Sequence, residues 1–286
     1  MAFGVGDYRY EVVEGWGAAH PLGIVSAQAV DATGKVYVVD REPNHEVAVF
    51  DRDGAFVTRW GGDQLQLPHS IWIHEPSDGE PFALIADVGS HTVDRYALDG
   101  THLGAIGTRD VPGSLGTPFN RPTWAVEAPW GDLYVSDGYG QNFVHRFAAD
   151  GELIHTWGGE GSGPAEFDLP HCIKIDPRER LLVIDRSNGR VQLFDREGTF
   201  IEEWTDAEPA NDLFIDENDV VHLVEAQGRV TLFDLDGQVL GRWGERGDRP
   251  GQFVGACHSI WIDDRGDLYI GEVPYVADRL QKFARV

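Results

Sequence analysis

Residues 178–204 read RERLLVIDRSNGRVQLFDREGTFIEEW, and this stretch decides the fold. Apolar and polar residues alternate along LLVID and again along RVQLF, the period of a half-buried strand and not of a helix. SNGR and DREG supply the turn formers that join antiparallel strands. The same unit returns along the chain as KVYVVDREPNHEVAVFDRDGAFVTRW from Lys35, ALIADVGSHTVDRYALDGTHLGAI from Ala83, and DLYVSDGYGQNFVHRFAADGELIHTW from Asp132. It returns again as DVVHLVEAQGRVTLFDLDGQVLGRW from Asp219, and a sixth copy, DRGDLYIGEVPYVADRLQKF, stops before its outer strand. The missing strand is supplied by YRYEVVEGWG, which starts at Tyr8. Head and tail therefore close one ring, and the expected architecture is an all-β, six-bladed propeller forming a single domain over residues 1–286.

Each unit carries an acid at the end of a strand: Asp40, Asp87, Asp137, Asp185, Glu225 and Glu272. Fourteen positions upstream, with one insertion in the second unit, stand Ser26, His69, Thr123, His171, Asn211 and His258. Successive members of this set are 43, 54, 48, 40 and 47 residues apart, the length of a four-stranded blade. Histidine fills every second slot. On a closed ring, alternate slots bring three imidazoles together about one axis, which a purely structural role for each histidine does not explain. Three neutral imidazoles with an open fourth position form a catalytic zinc site, and Fe2+, Co2+ or Mn2+ accept the same ligands. The acids, which recur in every unit, read as turn or inter-blade ties. His20, His45, His91 and His155 read as surface or loop residues.

Composition narrows the function. The formal charge of -25 from 48 acids against 23 lysines and arginines repels phosphate backbones, so nucleic acid is excluded as a partner. No run approaches a membrane span and the amino terminus has no basic, apolar, cleavable pattern, so the chain reads as soluble and cytoplasmic. The two cysteines, Cys172 and Cys257, flank keyed histidines and read as small buried apolar residues. The segments between Ile106 and Thr123 and between Trp157 and His171 are long enough to crown the channel and select a small-molecule or short peptide-like substrate. The sequence does not set the oligomeric state.

Val183 to Phe194 resembles the NHL repeat. The stretch FNRPTWAVEAPWGDLYVSDGYGQNFVHRFAADGELIHTWG with FDLPHCIKI, LPHSIWI and CHSIWIDDRGDLYIGE resembles, more specifically, the peptidyl-α-hydroxyglycine α-amidating lyases. That resemblance implies cleavage of an N-acyl hydroxyglycine, a carbinolamide, to a primary amide and glyoxylate. It implies zinc on His69, His171 and His258, Tyr139 of the SDGY motif as general base, and Arg41 and Arg186 as active-site arginines. The chemistry is coherent. A phenol beside a guanidinium or a metal can take a hydroxyl proton, and an arginine clamps a carboxylate with two parallel hydrogen bonds.

The chain also departs from the family pattern. Ala256 stands where the family has methionine, Ser259 replaces an aspartate that binds structural calcium, and Gly140 follows the tyrosine where the family has a disulfide cysteine. The calcium is therefore not carried across, and a different small hydroxylated substrate remains open. Two other readings are a metal-dependent hydrolase of lactone, ester or amide type, and a non-catalytic NHL scaffold that binds through Trp124 and Trp130.

Overall fold

A computed structural model describes residues 2–273 and 279–286; the connection 274–278 lies outside them. It contains six antiparallel sheets in a six-bladed β-propeller arrangement, as the repeat predicts. The chain contacts divide into two compact units, residues 63–209 and residues 1–62 with 210–286.

In the first of these units, strands Pro68–His74, Phe82–Asp87, Thr92–Ala97 and His102–Ile106 form one four-stranded meander. Trp124–Glu127 to Leu153–Gly158 and Pro170–Ile175 to Phe200–Trp204 form two more. Between neighbouring sheets lies a dry core of Leu84, Ala86, Val93, Phe119, Ala125, Val135 and Phe147. The long segments anticipated at 107–122 and 159–169 are pinned by Phe119 and Phe167, both fully buried. Burying a phenylalanine is worth about 1.5–3 kcal/mol, enough to hold an irregular segment against its sheet.

The second unit holds the sheets Ile24–Val30 to Phe56–Trp60 and Ala210–Ile215 to Val239–Trp243, together with the closing sheet. There Tyr8–Val12 pairs antiparallel with Leu280–Arg285, with Tyr10 opposite Arg285 and Val12 opposite Phe283. The closure is the expected one. Beyond it, Ala2–Val5 folds back on Tyr8–Val12 as a fifth strand that the sequence reading does not contain. Tyr10 and Phe283 sit in the core of this unit with Trp243, Phe253 and Cys257.

The recurring acids have a definite job. Asp40 accepts the amide of Gly23, Asp87 those of Gln66 and Leu67, Asp137 that of Asn120, Asp185 that of Asp168, and Glu272 those of Val254 and Gly255. Each donor lies just before the first strand of the acid's own sheet. These acids therefore tie the incoming loop within a blade. The same acid pairs across the ladder with the residue preceding the keyed position: Val25 with Asp40, Pro68 with Asp87, Pro170 with Asp185, Ala210 with Glu225 and Cys257 with Glu272.

Candidate metal centre and substrate site

At the keyed position the ladder breaks. The pairing register slips at Ser26, His69, His171, Asn211 and His258, so that each of these is the extra residue of a β-bulge. A bulge turns its unpaired side chain out of the sheet's alternation, and bulges gather beside functional sites for that reason. The clamp between acid and incoming loop fixes the neighbour on one side, and the regular ladder fixes the neighbour on the other. Only the keyed side chain is redirected.

His69, His171 and His258 are all buried and form a group whose ring nitrogens lie within 4.8 Å of one another. His69 donates from Nδ1 to the carbonyl oxygen of Thr123 at 2.7 Å, and His258 donates from Nδ1 to the carbonyl of Ser26 at 2.7 Å. A carbonyl can only accept, so both rings carry the proton on Nδ1 and present the Nε2 lone pair. Thr123 and Ser26 are themselves keyed residues of neighbouring sheets. Two small polar members of the alternating set thus orient His69 and His258 through their backbone, a form of outer support typical of metal-binding imidazoles.

Tyr139 completes the geometry. Its hydroxyl lies 3.1 Å from Nε2 of His69 and 3.1 Å from Nε2 of His171. A phenol has one proton and cannot donate to both nitrogens. An ion that takes both lone pairs would remove that competition. The three ring nitrogens, within 4.8 Å of one another, form a donor set that could hold a borderline divalent cation. The identity of the cation is not fixed by three imidazoles.

Why Tyr139 reaches this point is written in its neighbours. Gly138 packs so tightly that a Cβ there would meet the carbonyl oxygen of Pro170 at 2.2 Å. Pro170 immediately precedes His171, and its carbonyl accepts the Thr123 hydroxyl at 2.8 Å. The backbone amide of Tyr139 donates to the carbonyl of Arg121. The segment 107–122 is thereby joined to the tyrosine, and Gln141, which bonds Asp137, Thr117 and Gly116, adds a second tether.

The two arginines named from the sequence differ from the other half-buried and buried arginines. Arg190 binds Asp185, Glu203 and the carbonyls of Gly163 and Glu166, and Arg180 binds Asp176 and Glu202. Among the described residues, the half-buried side chains of Arg41 and Arg186 make no hydrogen bond or ion pair, and Nε of Arg41 is buried. The side chains of Arg121, Arg249 and Arg265 also lack such partners but are exposed, whereas Arg41 and Arg186 are half-buried. Each follows the clamping acid by one residue, beside the bulge that carries Ser26 or His171.

Other expectations resolve simply. Cys172 and Cys257 are free and fully buried, and burial pushes the Cys257 thiol well up. Ser259 donates its hydroxyl to Gln28 in the core. Trp124 is buried, with the Lys174 ammonium 3.9 Å from its ring, so it is no rim anchor; Trp130 is half-buried under the guanidinium of Arg196 at 4.1 Å. Among the described residues no helix is long and apolar enough to cross a membrane.

Fold and centre together define a six-bladed NHL-type propeller that gathers three imidazoles into one buried group. Its homologues include NHL repeat proteins and amidating lyases. The chain is 34% identical over 218 residues to human NHL repeat-containing protein 3, covering 69% of this chain and 59% of that one. It is 32% identical over 154 residues to peptidyl-α-hydroxyglycine α-amidating lyase 1 of Drosophila melanogaster, covering 49% of this chain and 28% of the fly protein. The chain thus spans less than two thirds of these relatives. Among solved structures, a gluconolactonase from Xanthomonas campestris matches over 98% of this chain and 90% of its own with a TM-score of 0.69. At 17% identity that likeness concerns the fold. No family model matches the chain.

Proposed function

We propose that this protein is a metal-dependent carbon-nitrogen lyase that splits an N-acyl α-hydroxyglycine, or a closely related small carbinolamide acid, into a primary amide and glyoxylate. The observation that carries this reading is the Tyr139 hydroxyl placed at equal distance from two inward-turned imidazoles.

His69, His171 and His258 would hold the ion, with zinc the first expectation for three neutral imidazoles. Once bound there, a divalent ion supplies Lewis-acid stabilisation of negative charge developing on oxygen. Tyr139 takes the proton from the substrate hydroxyl. As the carbon-oxygen double bond forms, the carbon-nitrogen bond breaks, and its electron pair stays on the amide nitrogen. That nitrogen then receives the proton held by Tyr139, so the reaction is balanced without water. Arg186 and Arg41, which the fold leaves without acidic partners, hold the substrate carboxylate and orient the breaking bond. The partner implied is a small molecule or short peptide-like acid.

The test is elemental analysis of the purified protein, followed by glyoxylate release from an N-acyl hydroxyglycine with and without chelator. One equivalent of metal and chelator-sensitive glyoxylate are expected. His171→Ala should lose the metal and remain folded, since strand pairing and not the ion closes the sheets. Metal without glyoxylate would overturn the substrate, and absence of metal would overturn the catalytic reading.

A further inference from the structure

One histidine outside the metal-binding group has the features of a binding residue. In the sheet of Ile24–Val30, strands Val36–Glu42 and Glu46–Phe50 pair with Asp40 opposite Glu46. One step outward on either side of the turn 42–44 stand Arg41 and His45. Nε of Arg41 and Nδ1 of His45 are both buried, and neither has a hydrogen-bond partner among the described residues. Two polar atoms on either side of one turn are thus withdrawn from water with nothing to bond, a cost of about 1–3 kcal/mol each. Native folds rarely leave such a pair without a use.

The backbone sharpens the point. The residue just before the third strand of a sheet takes a left-handed conformation in four of these blades: Gly189 with φ of 65° and Gly228 with 83°, but His91 with 61° and His45 with 52°. Glycine adopts this region freely, whereas a side chain with a Cβ does so at a penalty. His91 has a visible structural reason to be there, because its Nδ1 accepts the amide of Arg121 at 3.1 Å. His45 has no such bond. The same position in two other blades is satisfied by glycine.

We propose that His45 is a substrate-binding group, forming with Arg41 a two-residue clamp for one carboxylate. Arg41 is a donor at every nitrogen and needs an acceptor. His45 in its Nδ1–H tautomer donates to the second oxygen of the same anion. Strand connectivity links the clamp to the histidine group. Arg41 follows Asp40, which pairs with Val25, and Val25 adjoins Ser26, whose carbonyl holds His258. This inference rests on the proposed reaction for its substrate, an α-hydroxy or α-oxo acid, and adds His45, expected to be a surface or loop residue, to the arginines that hold the carboxylate of that acid.

The experiment is calorimetric titration of the full chain with glyoxylate, and with acetate as a second small carboxylate, for the wild type, Arg41→Gln, His45→Gly and His45→Asn. Wild type should bind. His45→Gly should bind roughly 10-fold more weakly, the scale of one charge-assisted hydrogen bond, while its melting temperature holds or rises because glycine relieves the left-handed backbone. His45→Asn, which tolerates that conformation and keeps an N–H donor, should recover most of the affinity. Undiminished binding by His45→Gly, loss of affinity equal in the Gly and Asn variants, or no binding by wild type would each overturn the clamp. Failure of wild type to release glyoxylate from an N-acyl hydroxyglycine would overturn the reaction alone, since the titration requires no turnover.

Discussion

The hydroxyl of Tyr139 lies 3.1 Å from Nε2 of His171, and the two residues are held in that relation by a glycine, Gly138, pressed against the carbonyl of Pro170. Proton transfer by a positioned side chain contributes about 10²- to 10⁴-fold to a rate. Tyr139→Phe should therefore lower kcat by that factor while elemental analysis still finds the metal, because the imidazoles keep their carbonyl partners. Loss of metal from this variant would assign the tyrosine to ion binding and not to proton transfer.

Gly138→Ala should damage the site without touching it directly. The new methyl group would meet the Pro170 oxygen at 2.2 Å, so Pro170 and with it His171 must shift. A weaker metal affinity is expected, read by competition with a chelator, together with a loss of stability of about 1–3 kcal/mol.

Arg186 and Arg190, four residues apart, should behave in opposite ways. Arg186→Gln removes no contact of the fold, so its melting curve should match wild type while kcat/KM falls roughly 10- to 100-fold. Arg190→Gln breaks a buried network with Asp185, Glu203 and two carbonyls and should cost about 3–5 kcal/mol of stability. Equal stability losses in the two variants would remove Arg186 from the substrate site.

Stability should fall as the medium becomes acidic. His222 is buried and bonds Asp216 at 3.1 Å; burial lowers its pKa despite that carboxylate, while the Asp216 pKa is lowered because its bonds to His222 and the Val220 amide outweigh its burial. A histidine whose folded value lies below the unfolded one gains its proton first in the unfolded chain. Folding is thus opposed as pH falls through about 6.5. A depressed carboxylate adds to this lower on the scale, as pH falls through the usual aspartate range. Melting temperatures between pH 8 and pH 5 should show the decline, and His222→Gln should flatten its upper part.

The repeat, its strand order and the head-to-tail sheet were legible because alternation and Asp-Gly turns are local signals that survive in a single sequence. The strand Ala2–Val5 was not, since AFGV is too short to show a period. The histidine trio was legible from spacing, but the bulge that aims it was not. In the three histidine sheets that bulge sits beside an acid and a loop amide 17–21 residues apart closing on one another, and no run of adjacent residues encodes it. Tyr139 could be found only through SDGY, and His45 was passed over because a histidine in a polar turn looks solvated. The left-handed conformation that singles it out is a property of the backbone.

The closing sheet sets a schedule for the nascent chain. Arg285 hydrogen-bonds the hydroxyl of Tyr10 across 275 residues of sequence. At about 5–20 residues per second of synthesis, Tyr10 emerges roughly 14–55 s before its partner exists. During that interval Tyr8–Val12 has an open strand edge and no sheet to join, the condition in which edges seek the wrong partner. Expression of this protein should accordingly respond to elongation rate and to chaperones that shield the strand Tyr8–Val12, and much less to substitutions in the histidine group.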